Sequence, residues 1–166
     1  MEPNPEMRRA AERGFDGCSS FHSVSASAEQ TGLPTSSIDL VIVGQALHWF
    51  DISRALPEFA RILKPSGWLA TVWNQYEGAP TYETIRWFAS DSRFERRFPV
   101  SVAETWEQYI GGLRSAADAP LLGDVGYGDF EEAHRRRFAA QAVDGLITIH
   151  YTTELVVGRP NLSSRT

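Results

Sequence analysis

Gln45, His48 and Trp49 follow one another within five positions, directly after a short apolar run. Together they offer a carboxamide that both donates and accepts, an imidazole that exchanges a proton near neutral pH, and a flat indole on which a ring can stack. All three lie in the stretch Ser37 to Asp51, SIDLVIVGQALHWFD. Ile38 to Val43, IDLVIV, is a short run that is apolar apart from Asp39 and rich in β-branched residues, which predicts a short strand buried on both faces. Gly44 ends that pattern and leaves room for a ligand to approach the backbone. In open α/β sheets ligands sit in the crevice outside the carboxyl ends of the strands, where these three residues would fall. The same residues also suit an ordinary strand-to-helix turn carrying a half-buried tryptophan.

The elements that would position this stretch can be read on either side of it. Asn4 is a good N-cap, Pro5 fits the first helical position and Glu6 suits the first turn, so a helix is predicted through about Arg13, stopped by Gly14 and Gly17. Phe21 to Ala26 alternates as a short strand, and Gln30 to Ser37 reads as a loop. Ile52 to Lys64 places Leu56, Phe59, Ala60 and Leu63 at helical spacing, with Ser53 as its cap and Pro65 as its stop. Pro65-Ser66-Gly67 then forms a turn into a second buried strand, Trp68 to Trp73. A strand–helix–strand order of this length implies a right-handed crossover and a parallel pair. Further on, helices are predicted over Tyr82 to Ser90, Ala103 to Ser115 and Asp129 to Val143. The last of these would turn Phe130, Ala133, Phe138 and Ala142 inward. A strand is predicted over Arg96 to Val102, broken by Pro99. Leu146 to Val157 is the longest strand candidate, suited to an antiparallel addition to a parallel sheet. Residues 1–160 read as a single partial domain and 161–166 as a flexible tail.

At 166 residues with 42% hydrophobic and 22% charged side chains, the chain is long enough to bury a sizeable core. A net charge of −5 argues against nucleic acid or an anionic membrane as the main partner. Cys18 is the sole cysteine, so no disulfide within the chain and no thiolate zinc cage can form, and a cytoplasmic location is expected. No apolar run reaches the roughly 20 residues that span a bilayer. His22, His48, His134 and His150 show no metal-ligand spacing, so no metal is expected. No G-x-S-x-G nucleophile elbow is present, and with Lys64 the single lysine no Tyr-x-x-x-Lys pair exists. Arg135-Arg136-Arg137, preceded by Glu131 and Glu132, reads as a solvated, charge-paired helix face rather than a phosphate site.

Four stretches resemble the class I S-adenosylmethionine-dependent methyltransferases, specifically the small-molecule branch that includes trans-aconitate-methyltransferase-like proteins. They are Glu2-Pro3-Asn4-Pro5-Glu6-Met7, the run Ser25-Ala26-Ser27-Ala28-Glu29 with Leu33-Pro34, Ile38 to Phe50 with its QAxHWF tail, and Arg61-Ile62-Leu63-Lys64-Pro65-Ser66-Gly67-Trp68. Each is weak alone, whereas their order and spacing make the set specific. The resemblance implies a Rossmann-like α/β sheet with helices on both faces, S-adenosylmethionine as cofactor, and a small-molecule methyl acceptor as partner. Carried onto this chain, Glu2 would accept hydrogen bonds from the two ribose hydroxyls, and Ser27 and Ala28 would meet the adenine. Many members of the family place Asp where Ser27 stands. Gln45 and Ala46 would line the methyl-donor side, and His48 and Trp49 would face the acceptor. His48 is the candidate catalytic base where the acceptor must first lose a proton; a structural histidine is the alternative.

One departure from the family pattern is large. The family's first strand ends in a Gly-rich loop of GxGxG type, about 20 residues ahead of the ribose-binding acid. Here that acid is Glu2, and Gly123, Gly126 and Gly128 lie in a late loop that follows no strand. The expected fold is therefore the family sheet truncated at its N-terminus, without the first strand and most of the second, and Met1 is expected to be an internal methionine of a longer protein. Two functions stay open: a methyltransferase impaired in this truncated form, or a non-catalytic remnant that acts as a binding or regulatory protein.

Overall fold

The computed structural model describes residues 1–76, 84–116 and 119–162. Its first helix, α1 (Pro5–Gly14), is where the sequence places it. Asn4 Oδ1 accepts the N–H groups of Glu6 (2.8 Å) and Met7 (3.3 Å), satisfying two donors that the first turn would otherwise leave open. The strand expected at Phe21 to Ala26 does not form. A strand needs a partner along its length, whereas the backbone bonds described for this segment are single ones, Phe21 N–H to the Cys18 carbonyl (3.0 Å) and Glu2 N–H to the Val24 carbonyl (3.1 Å), with an isolated bridge between Ser27 and Gln30 just beyond it.

Strand β1 (Ile38–Gly44) pairs in parallel with β2 (Leu63–Tyr76), and the connection between them is helix α2 (Ile52–Ile62). Asp51, not Ser53, caps α2: its Oδ1 accepts from Ser53 N–H at 3.1 Å. The helix ends two residues earlier than expected, because Leu63 already pairs with Ile38. The register then jumps from Ile38↔Leu63 to Leu40↔Trp68, so the expected turn at Pro65-Ser66-Gly67 survives as a bulge within the strand. Gly67 is required there. A Cβ at that position would lie 2.9 Å from the Ile38 carbonyl oxygen and 2.9 Å from Leu63 Cδ2.

Ala55, Leu56, Phe59 and Ile62 of α2 pack with Val41, Val43 and Leu69 in one buried cluster that also takes in Leu47, Leu63, Trp87, Phe88 and Val156. The alternate residues face the other way. Leu40 and Ile42 are 47% and 64% exposed, so β1 is buried on one face and not on both as its composition suggests. Among the described residues, that second face of Leu40, Ile42, Trp68, Ala70 and Val72, joined by Leu155 and Val157, lines an open concavity of about 750 Å³.

The sheet is completed by β3 (Phe94–Glu104) and β4 (Ile147–Gly158), in the order β1-β2-β4-β3. β3 runs through Pro99 without a break. Its place at the end of the strand order explains this, since an edge strand has one row of backbone donors with no ladder partner to lose. Of the helix expected at Tyr82 to Ser90, residues 82 and 83 lie outside the described residues; Thr84–Trp87 is a single 3-10 turn, and Phe88 bridges to Pro160. Asn161 is fastened by its N–H to the Trp87 carbonyl at 2.7 Å.

The chain divides into two compact units, Met1–Gln75 with Pro80–Arg97 and Thr153–Thr166, and Tyr76–Ala79 with Phe98–Thr152. The first carries the cluster just described. In the second, helix α3 (Trp106–Arg114) starts at a capping box between Thr105 and Gln108, and helix α4 (Tyr127–Gln141) starts two residues before its expected position. Tyr109 and Ile110 are buried, and Trp106 and Phe138 meet edge to face at 5.5 Å. The inner side of α4 includes His134, whose Nδ1 lies 3.2 Å from the Tyr109 hydroxyl, whereas Ala133, expected inside, is exposed. Burial, with help from the Arg137 charge, lowers the His134 pKa. Arg135 and Arg136 pair with Glu131 and Glu132, as the charge pattern of the helix suggests, and Arg135 also lies over the Trp106 ring.

One ionic clasp in the first unit holds the loop before β1 onto α2. Glu58 Oε1 accepts the N–H of Thr31 (2.9 Å) and its hydroxyl, while Arg61 bonds Glu58, the Leu33 carbonyl (2.8 Å) and Thr35 Oγ1 (3.1 Å). Arg61 above all, then Thr31, lower the Glu58 pKa to about 2 against the opposing effect of desolvation. A depressed carboxylate contributes stability that is complete above its unfolded pKa of about 4.5 and is lost as pH falls toward 2. Glu58→Gln should therefore cost roughly 1–3 kcal/mol at pH 7 and flatten the loss of stability between pH 5 and pH 2, as urea unfolding across that range would read. Gly67→Ala should cost a similar amount, on the order of 1–3 kcal/mol, because the bulge must move off the Ile38 carbonyl.

Candidate functional site

The site grows from the carboxyl ends of β1 and β2. After Gly44 the chain enters a left-handed turn at Gln45 (φ +50°), a conformation that costs a non-glycine residue energy and must be held by its neighbours. Two bonds hold it. Gln45 N–H donates to the Val72 carbonyl at 3.1 Å, and Gln45 Oε1 accepts the N–H of Asn74 at 3.3 Å. The residue thus grips the β2 backbone on both sides of Trp73. The hydroxyl of Thr153, from β4, donates to Asn74 Oδ1 at 2.9 Å.

A single 3-10 turn, Leu47–Trp49, follows. Leu47 is buried in the core cluster, which anchors the turn and leaves His48 and Trp49 on the exposed side. The His48 ring lies 4.7 Å from that of Trp49, tilted by 43°, and 5.5 Å from that of Trp73, edge to face at 87°. Trp49 is 66% exposed, while Trp73 packs against the core cluster. An imidazole flanked by two indoles can exchange a proton with a ligand stacked on the exposed ring.

The other candidate residues fall around this turn to different degrees. Ala28 and Ala46 both pack against the core cluster that holds Leu47. Ser27 takes part in the bridge to Gln30, and the neighbouring Glu29 accepts the Asp51 N–H at 3.0 Å, tying this segment to the start of α2. Desolvation works to raise the Glu29 pKa, but bonds from its own N–H, Ser27 and Asp51 and the charge of Arg54 outweigh it, so the pKa is lowered. Glu2 is half-buried; its Oε1 accepts Asn4 N–H at 2.8 Å, and Arg8 binds its carbonyl at 3.0 Å. No hydrogen bond described for Glu2 reaches the turn at Gln45–Trp49. Among the described residues, no group of His, Cys, Asp and Glu could hold a metal ion, and no helix is long and apolar enough to cross a membrane.

Sequence reasoning missed four contributors: Trp73, Asn74, Thr153 and Glu29. A signal existed for the first two. Parallel pairing of two consecutive strands brings the residues that leave β1 beside those that leave β2, so WN at the end of WLATVWN belongs next to QALHW. No such signal marks Thr153, 79 positions from Asn74.

Residues 1–71 match the family model of a methyltransferase domain. The chain is 53% identical over 47 residues to the uncharacterized methyltransferase Rv3342 of Mycobacterium tuberculosis, a match covering 28% of this chain and 19% of that relative's length. It thus spans only a part of that protein. Among solved structures, YcgJ of Bacillus subtilis superposes with a TM-score of 0.57 at 17% identity, covering 96% of this chain and 81% of the other. A protein of Anaeromyxobacter dehalogenans proposed to be a type II methyltransferase superposes with a TM-score of 0.53 at 20% identity, covering 83% and 72%. The α/β fold is that of the Rossmann-like class I methyltransferases.

The unequal burial of the two indoles sets an expectation. Trp49→Ala should leave stability within about 0.5 kcal/mol of the parent. Trp73→Ala, which opens a cavity beside the core cluster, should cost roughly 2–4 kcal/mol. Denaturant midpoints for the two variants check both.

Proposed function

We propose that this chain is part of an S-adenosylmethionine-dependent methyltransferase that acts in the cytoplasm on a small-molecule acceptor of the kind used by the trans-aconitate-methyltransferase-like branch. The observation that carries the reading is the match of residues 1–71 to a methyltransferase domain, a span that includes the whole turn from Gln45 to Trp49. In this reading both compact units belong to one partial methyltransferase domain.

The residues present fit one half of the cofactor. Glu2 retains acceptor capacity for the ribose hydroxyls beyond its bond to Asn4, since a carboxylate has about four acceptor sites. Ser27 and Ala28 would meet the adenine, and Gln45 and Ala46 the methyl-donor side. The chain contains no GxGxG turn for the methionine end. S-adenosylmethionine supplies an electrophilic methyl group; the protein's part is to orient the acceptor and exclude water around it. Trp49 would stack the acceptor, and His48 would take a proton from it through a ring nitrogen. A second reading is that the chain is a non-catalytic remnant that binds or regulates a partner.

Titration calorimetry with S-adenosylmethionine separates the two. The expected result for this chain is weak binding or none, and a low-micromolar Kd would show that the Gly-rich turn is dispensable. In a form that turns over, His48→Ala should lower kcat and kcat/KM together by on the order of 100-fold, with cofactor affinity unchanged. Unchanged turnover would assign His48 to packing.

A further inference from the structure

We propose that Gln45, Asn74 and Thr153 form a positioning clamp that sets the distance and angle of the His48–Trp73 ring pair, and so the placement of the proton-exchanging imidazole; as a statement about catalysis it rests on the methyltransferase reading. Trp73 lies between the two backbone points that Gln45 grips, the Val72 carbonyl and the Asn74 N–H. Its main chain therefore cannot slide along β1 without breaking one of them. The Asn74 side chain is fixed in turn by the Thr153 hydroxyl at 2.9 Å. The turn that follows β1 is thus joined to β2 and β4 in a single hydrogen-bonded chain through Gln45, Asn74 and Thr153.

The geometry favours positioning over a purely structural role for two reasons. First, Gln45 occupies a left-handed conformation at φ +50°, where glycine would be unstrained. A glycine there would relieve the backbone and lose only the side chain, which accepts the Asn74 N–H. Second, the Thr153 bond joins two polar side chains in a partly buried place, where two apolar side chains would need no partners. What the polar pair adds over an apolar one is direction. A hydrogen-bonded chain fixes an angle, and the edge-to-face contact of His48 on Trp73, at 87° and 5.5 Å, depends on one. Asn74 and Thr153 touch no reacting atom in this account and act through Trp73 and His48; the Gln45 side chain, which would also line the methyl-donor side, joins the clamp through its bond to Asn74.

The ring-current shift of the His48 Cε1–Hε1 resonance reads that geometry directly, in the full chain, with no cofactor or acceptor added. His48→Gln assigns the peak, and His22, His134 and His150 serve as internal controls. Thr153→Val keeps the side-chain shape and removes the hydroxyl; it should move the His48 resonance and leave the other three in place. Thr153→Ser, which restores the hydroxyl, should return the His48 resonance to its parent position. Gln45→Met, of similar length but without the amide oxygen, should move it as Thr153→Val does. An unmoved His48 resonance in either Thr153→Val or Gln45→Met overturns the clamp, as does a shift in Thr153→Ser equal to that in Thr153→Val. Should Thr153→Val fail to fold, Gln45→Met and Thr153→Ser decide by the same criteria. Because the readout needs no turnover, it stands or falls separately from methyl transfer. In a form that turns over, Thr153→Val should lower kcat by on the order of tenfold and leave the Kd for S-adenosylmethionine within about twofold.

Discussion

Everything at the candidate site depends on the parallel pairing of β1 with β2. Its register ends at Gly44 opposite Val72, so both strands reach their carboxyl ends side by side. The backbone N–H of Gln45 then extends the pairing by one more bond, to the carbonyl of Val72, and its side chain extends it again to Asn74. An antiparallel pair would have put the end of one strand beside the start of the other and separated His48 from Trp73. The bulge at residues 64–67 absorbs the mismatch at the opposite end of the pair, where Gly67 lets the backbone pass close to Ile38. The site end of the pairing is thus regular because the irregularity is confined to the far end.

From that pairing, the direction of the rings follows by packing. A chain leaving a parallel strand must turn back along the sheet, and here it does so through one 3-10 turn before α2. Leu47 takes the inward position of that turn and His48 and Trp49 the outward ones. Burying a leucine is worth roughly 1.5–3 kcal/mol, which is enough to offset a cost of about 1–3 kcal/mol for the left-handed residue two positions before it. Strain at Gln45 and burial at Leu47 are therefore coupled. The turn can store the first because the second, together with the two bonds of Gln45 to β2, holds it.

Legibility in the sequence followed the range of the interaction. Elements built on local chemistry were readable: the Asn4–Pro5 start of α1, the apolar run of β1, the helical spacing of α2 and the charge pairing along α4. Their edges shifted where a neighbour in space decided them. Leu63 left its helix to pair with Ile38, and Asp51 displaced Ser53 as cap because it sits where the extended chain turns into the helix. Phe21 to Ala26 had the alternation of a strand but lacked the partner that alternation cannot supply. Pro99 looked like a break because the sequence does not reveal which strand lies at an edge. At the site, the groups contributed by β1 and its turn were visible, since they are consecutive; Thr153 was not, since only the fold brings it to Asn74.

The two faces of β1 carry this reasoning one step further. Val41 and Val43 are buried against α2, whereas Leu40 and Ile42 on the alternate face are largely exposed. At about 25 cal/mol per Å² of apolar surface, only the packed face contributes to holding the strand in place. The positions of Gln45, His48 and Trp49 are accordingly set from one side, through Leu47 and the α2 cluster, and from the neighbouring strand, through Val72, Trp73 and Asn74. A layer packed on Leu40, Ile42 and Trp68 would stiffen β1 from the second side without altering its register. The hydrogen bonds of Gln45 matter most while that face is open, because they fix the end of a strand whose side chains are anchored on only one face.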